Sequence, residues 1–257
     1  MEHYALKIAY LGTRYCGWQV QPNGVSVQKT LQSSVESAFS SPVSVTGCSR
    51  TDAGVHARGF VCAVSGIPDA VPPENIPDAV NRKLPDDISV LLASRVPDSF
   101  HPRYDAVGKE YVYRVRNSRI PDPFDHAFTA LWPTARRIDE KVCDALCRRL
   151  TGKADYASFM ASGSSVPDTV RTVTSFGCER EGDVLTFTVS ADGFLYNMVR
   201  ILVGTVLDIE SGLLAPDPGG IRSAKDRTRA GRTMPAKGLC LSRVFYPKNP
   251  FSDPSSD

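Results

Sequence analysis

The segment SRTDAGVHARGF, residues 49–60, places Arg50 and Asp52 two positions apart and follows them at once with Ala-Gly. A guanidinium near a carboxylate lowers its pKa and keeps it ionised. An ionised carboxylate can serve as a nucleophile, a general base or a fixed negative charge. The plainer reading of an Asp-Ala-Gly turn is an aspartate that caps its own backbone amides. His56 suggests an Asp/His pair, but a near-extended chain from 52 to 56 would hold the two side chains apart, so His56 is read as structural. Arg200 is the second candidate, within DGFLYNMVRILVGTVLDIESG at 192–212. On a largely apolar helix it either snorkels to the surface or meets a buried carboxylate. The third is the stretch 211–238, where Arg222, Lys225, Arg227, Arg229, Arg232 and Lys237 stand among Gly and Pro. Such a run is either a solvated connector or an arm that contacts phosphates.

The elements that must carry these groups follow from periodicity. YALKIAY (4–10) alternates Tyr4, Leu6, Ile8 and Tyr10 against Ala5, Lys7 and Ala9, the pattern of a strand with one buried face. Val27, Leu31, Val35, Ala38 and Phe39 recur at helical spacing behind Ser26, which predicts a helix over 26–40 with Ser26 as its N-cap. PVSVTG and GFVCAVSG read as short strands, placing Arg50 and Asp52 on the loop that joins them. A short helix is expected in ENIPDAVNRKL and a strand in ISVLLASRV. KEYVYRVRN opens a second half, with Tyr111, Tyr113 and Val115 on one face of a strand. Ile138, Val142, Leu146 and Leu150 mark another helix, and TVRTVTSFGCER with DVLTFTVS forms a hairpin that turns at Glu-Gly. In 192–212 the residues Phe194, Met198, Ile201, Leu202, Thr205 and Ile209 share a helix face, with Asp192 or Gly193 as the start. LCLSRVFYP supplies a last strand. The expected division is an N-terminal α/β domain at 1–103 carrying the Asp52 loop, a C-terminal α/β domain at 104–247 and a frayed tail at 248–257.

Composition narrows the functional classes. With 257 residues, 42% hydrophobic and 23% charged, the chain can bury one large core or two smaller ones. Lys plus Arg number 30 against 28 Asp plus Glu, a net charge of +2, so any polyanion must be met by local basic clusters. No apolar run approaches the roughly 18 residues that span a bilayer, and the start MEHYALKIAY lacks the features of a signal peptide; a cytoplasmic protein without a membrane partner is expected. Seven cysteines without a C-x-x-C pair suit reduced, mostly buried thiols, and four scattered His make no metal set.

RTDAGVHA at 50–57 resembles the signature of the TruA family of tRNA pseudouridine synthases. The resemblance continues through YLGTRYCGWQVQ (10–21), NRKLPDDI (81–88), SFHPRYDAVGKEYVYRV (99–115), GKADYASF (152–159), the 192–212 segment and AGRTMPAKGL (230–239), in the family's order. It implies isomerisation of uridine to pseudouridine in the anticodon stem-loop of tRNA, at positions 38 to 40, with no cofactor. Asp52 matches the essential aspartate, a nucleophile toward C6 of the base or C1′ of the ribose. Tyr111 matches the tyrosine that stacks on the target base and is a candidate for removing the C5 proton. Arg200 matches the arginine that pairs with that aspartate. Arg50 matches the arginine that enters the RNA stack, and Leu239 the leucine that lines the base pocket. Arg222, Lys225, Arg227 and Arg229 are candidates for phosphate contacts. The implied fold is α/β of the α+β type, two similar domains whose mainly antiparallel sheets join across a central catalytic cleft, in a homodimer.

The sequence departs from the family pattern at Phe60, commonly glutamine, at Cys48 and Ser49, and at Arg232, commonly proline. These changes bear on packing and substrate range rather than on the proposed catalytic groups. Three other readings stand beside the main one: a related synthase for other tRNA uridines, a non-catalytic tRNA-binding or chaperone module, and a carboxylate-nucleophile hydrolase of small molecules that would have no use for the basic arm.

Overall fold

The computed structural model describes residues 3–22, 24–163 and 166–251. Residues 252–257 of the expected tail lie outside the described residues. The chain forms two compact units, Met1–Val107 with Leu241–Asp257, and Gly108–Cys240.

In the first unit, β1 (His3–Tyr10) runs antiparallel to β3 (His56–Ser65) on one side and β4 (Ile88–Val96) on the other. Tyr4, Leu6, Ile8 and Tyr10 are all buried, as the alternation requires; on the opposite face Ala5 is buried too, while Lys7 and Ala9 are half-buried. β2 (Ser44–Gly47) pairs with the far half of β3, from Ser65 back to Cys62. The near half of β3 has β10 (Leu239–Phe245) for its neighbour; from Leu241 onward that strand belongs to this unit. Between β1 and β2 lies α1 (Val27–Phe39), whose Ser26 hydroxyl accepts the Lys29 N–H and caps the helix as expected. Val27, Leu31, Ser34 and Val35 form its buried face, and α2 (Ile76–Asn81) packs against β4.

The second unit is built on β5 (Gly108–Asn117), β9 (Val184–Ala191) and β8 (Val170–Glu181), antiparallel in that order, with β7 (Gly152–Asp155) beyond β8. A short β6 (Ala130–Trp132) lies parallel to the end of β5. The β8–β9 hairpin turns at Gly182, whose φ of 56° suits glycine. α3 (Glu140–Arg149), capped by Asp139, packs on β8, but its buried face is Cys143, Leu146 and Cys147. Val142 is exposed, because the two cysteines supply the apolar surface that the aliphatic pattern assigned one residue earlier.

α4 (Met198–Glu210) is buried on nearly every side and packs against α3 and β5. It begins later than expected: Asn197 takes the left-handed conformation, φ 60°, and residues 192–196 precede the helix as loop. The basic stretch after it is folded rather than an open arm, with α5 (Pro218–Ser223) and two short 3-10 turns, Arg227–Arg229 and Ala236–Gly238. All seven cysteines are free thiols, five of them buried. Among the described residues no helix is long and apolar enough to cross a membrane.

Candidate active site

Asp52 lies on the β2–β3 loop, where sequence patterning puts it. The turn around it is closed by backbone: the Val55 N–H donates to the Asp52 carbonyl at 3.1 Å. Gly54 has φ 78°, the value required at the third position of a type II turn, which accounts for the Ala-Gly that follows the aspartate. Asp52 is half-buried, Arg50 is exposed and Thr51 between them is buried.

The loop is held from behind by YLGTRYCGW. Thr51 shares a 2.8 Å hydrogen bond between its hydroxyl and that of Tyr10, and its carbonyl accepts the Trp18 N–H at 3.1 Å. Two glycines permit this approach. A Cβ at Gly12 would stand 2.0 Å from the Val55 carbonyl oxygen, and one at Gly17, whose φ is 106°, 2.6 Å from that of Thr51. His56 is buried and its Nδ1 accepts the Gly12 N–H at 3.0 Å, so the ring carries its proton on Nε2 and serves the same clamp. Phe60, at a position singled out as a departure, is fully buried beneath the loop and stacks on Trp18. Farther along the same segment, Arg14 Nε donates at 2.7 Å and the Tyr15 hydroxyl at 2.6 Å to Asp87, just before β4. Burial and the ionised Asp87 push the Tyr15 phenol up to about 12.

The second unit presents its own set. Tyr111 projects from β5, almost fully buried, with the Phe194 ring edge-on at 5.1 Å and 85°. Two residues on, the hydroxyl of Tyr113 donates to the Pro235 carbonyl at 2.5 Å, and burial raises its pKa. Gly238 lies so close to Tyr113 that a Cβ would meet the ring at 2.7 Å, which explains the glycine before the buried Leu239. Arg200, in the first turn of α4, is half-buried. Its Nε donates to the Met234 carbonyl at 2.6 Å and its Nη1 to Asn197 Oδ1 at 2.5 Å. A snorkelling head would be solvated; this one is fixed by two protein acceptors.

The basic residues divide by environment. Arg222 donates to the Thr151 carbonyl and its guanidinium lies over the Tyr156 ring, while Lys225 pairs with Asp155 at 3.0 Å. Arg227 donates to the Ala230 carbonyl and the Thr233 hydroxyl, and burial lowers its pKa. Arg229 is exposed. Sequence patterning assigns no role to Asn197 or Thr51, and it puts Phe194 on the face of a helix, whereas Phe194 lies in the loop before α4 with its ring against Tyr111. An asparagine immediately before the apolar run, a residue tolerant of the left-handed region, is the available signal for Asn197, and the RTDAGVHA motif itself contains Thr51.

The profile of a family described as tRNA pseudouridine synthase matches residues 7–105 and 146–247. Full-length relatives agree. "tRNA pseudouridine synthase A" of Clostridium kluyveri is 39% identical over 247 residues, 96% of this chain and 100% of its own, and that of Acetivibrio thermocellus is 40% identical over 251 residues with the same coverage. Among solved structures, a chain of a Cbf5-Nop10-Gar1 complex aligns with a TM-score of 0.41 and 14% identity, across 94% of this chain and 50% of that one, a likeness too slight to bear on function. The motif residues, the matched profile and the full-length relatives converge: the chain belongs to the tRNA pseudouridine synthase family, isomerases that convert uridine to pseudouridine in tRNA.

Proposed function

We propose that the chain isomerises uridine at positions 38 to 40 of the anticodon stem-loop, with Asp52 as nucleophile. The N1–C1′ bond breaks, a C5–C1′ bond forms, C5 gives up its proton and N1 gains one, so no oxidant or energy source is consumed. Asp52 adds to C6 or C1′ and is released when the new bond is complete. Arg200 keeps that carboxylate ionised and aimed. Tyr111 offers the ring on which the base lies and is the candidate for taking the C5 proton, and Leu239 supplies an apolar wall. A base inside a stem must leave the stack to be reached, and a guanidinium filling the gap offsets part of the few kcal/mol that unstacking costs. Arg50 has that role, and Arg229 with Lys225 gives phosphate contacts while Arg222 and Arg227 brace their segment.

The observation that carries this reading is the pinned turn: Asp52 is held by backbone bonds and the Gly12 and Gly17 contacts, while Arg50 two residues away is left exposed. A rigid carboxylate beside a solvent-facing guanidinium suits attack on a nucleotide drawn out of a helix. We also propose a cytoplasmic homodimer. The test is tritium release from tRNA transcripts labelled at uridine C5, with Asp52→Asn and with transcripts lacking uridine at 38, 39 or 40. Release that vanishes in the variant while tRNA is still bound supports the nucleophile; release that persists overturns it. Transcripts that lose no label at these three positions move the reaction to other uridines.

A further inference from the structure

α4 is an apolar helix buried on nearly all sides, yet it carries two buried polar side chains, Thr205 and Asp208. Both turn to the same segment, residues 231–234. The Thr205 hydroxyl accepts the Gly231 N–H at 2.9 Å. Asp208 Oδ2 accepts the Arg232 N–H at 3.0 Å, and its Oδ1 accepts from Arg232 Nε and Nη2, each at 2.8 Å. The Arg232 guanidinium is covered by the Trp132 ring, 4.7 Å from its centroid. One turn after another, α4 thus docks the segment: Gly204 allows the Arg232 carbonyl to lie where a Cβ would stand 1.9 Å from it, and the Met234 N–H reaches the Arg200 carbonyl at 3.3 Å. The segment ends at the acceptor of Arg200, the Met234 carbonyl.

A buried carboxylate is costly unless every lone pair is used, and a well-packed apolar side chain would stabilise this helix as well or better. What Asp208 adds is a single geometry for residues 232–234, two residues from the atom that orients Arg200. The segment has glycine at 231 and lies between two short 3-10 turns, so without the three donations into Asp208 its hydrogen bonds to α4 would be the Gly231 N–H to Thr205 at one end and the longer Met234 N–H to the Arg200 carbonyl at the other. Arg232 itself matters through its main chain as well as its side chain, since a proline there has no N–H to give.

We propose that Asp208 is a positioning residue for Arg200, acting through Arg232 and the Met234 carbonyl. The proposal rests on the role given to Arg200 above. Removing the carboxylate loosens the Met234 carbonyl, so the Arg200 guanidinium samples several directions and the proportion of enzyme in reactive geometry falls. Binding of tRNA, spread over many contacts, is little affected.

The experiment uses the full chain with single-turnover pseudouridine formation, tRNA affinity and the NMR signals of arginine Nε–H groups. Variants are Asp208→Asn, Asp208→Glu, Arg232→Gln, Arg200→Lys and the double variant Asp208→Asn/Arg200→Lys. Asp208→Asn should be folded, bind tRNA within about twofold of wild type and react on the order of 10- to 100-fold more slowly. The protected Nε–H signal of Arg200 should be lost with it, Asp208→Glu should recover part of both, and the double variant should be no slower than Arg200→Lys alone. Should Asp208→Asn fail to fold, Arg232→Gln, which leaves the carboxylate and its backbone donor in place, is held to the same rate and NMR criteria. An Asp208→Asn rate within about threefold of wild type, with Arg200→Lys slow, overturns the positioning role and leaves Arg200 standing. An unimpaired Arg200→Lys overturns the role of Arg200 and this proposal with it. An unchanged Arg200 signal in a slow Asp208→Asn also overturns it, since the loss then has another route.

Discussion

The Phe60 ring lies on the indole of Trp18 with centroids 4.0 Å apart and planes at 28°. Tyr10 closes the group, 5.7 Å from Phe60, and passes its hydroxyl to Thr51 beside the candidate nucleophile. The stack is tight enough that a Cβ at Gly47 would meet both rings within 3 Å. Phe60→Ala should therefore destabilise the protein by about 3–5 kcal/mol, read as a lower urea midpoint. A loss below about 1 kcal/mol would show that the site collapses and that the stack does not support the loop.

Gly17→Ala tests the clamp itself. Its φ of 106° and the 2.6 Å approach to the Thr51 carbonyl leave no room for a methyl group. Strain of this kind costs about 1–3 kcal/mol, and in the folded fraction turnover should fall more than tRNA affinity does. Equal losses of both would mean that the glycine serves stability alone.

Tyr111 has two separable contributions. Tyr111→Phe keeps the aromatic surface and should leave tRNA binding unchanged while slowing the chemical step, whereas Tyr111→Ala should weaken both. Full single-turnover activity in the Phe variant would transfer C5 proton removal to another group.

Several carboxylates give the stability a defined pH dependence. Hydrogen bonds from Arg116 hold Asp125 below the usual range; those from Arg148 do the same for Asp144, and those from Thr169 and Lys225 for Asp155. A depressed pKa contributes stability that is complete above the unfolded value, about 3.9 for aspartate, and is lost as pH falls through the lower folded value. The contribution of these carboxylates to the urea midpoint should be constant from neutrality to about pH 5 and decline below about pH 4. Arg116→Met should flatten part of that decline.

The basic segment should split in its salt response. Arg229→Ala should reduce the slope of log affinity against log salt by about 1, measured by filter binding of tRNA. Arg227→Ala should mainly lower thermal stability, because Arg227 is tied to Ala230 and Thr233. A slope change from Arg227 alone would reverse the two assignments.

Local signals made much of this readable. The alternation of β1, the Ser26 cap of α1, the β8–β9 hairpin and the placement of Asp52 between β2 and β3 all depend on neighbours in the chain. β6 and β7 span Ala130–Trp132 and Gly152–Asp155, too short for a period to register. The late start of α4 turns on one backbone conformation at Asn197, and the burial of Asp208 on a distant partner, Arg232, that hydropathy does not see. The candidate catalytic residues were legible through motif resemblance. The groups that hold them, the Thr51 hydroxyl, the Gly12 and Gly17 approaches and the Met234 carbonyl, are mostly backbone and have no side-chain signature.

The first unit is completed by Leu241–Phe245 of β10, the last strand among the described residues, which lies beside the half of β3 that leads from the Asp52 loop. Gly59 of β3 is spaced for it, since a Cβ there would stand 2.4 Å from the Ser242 carbonyl oxygen. During translation β1, β3 and β4 emerge long before that neighbour exists, so the nascent unit carries an open strand edge next to the Asp52 loop. Synthesis order thus delays completion of this unit until the residues of the other have been made, and a chain truncated before β10 would keep that edge open to pairing with another strand.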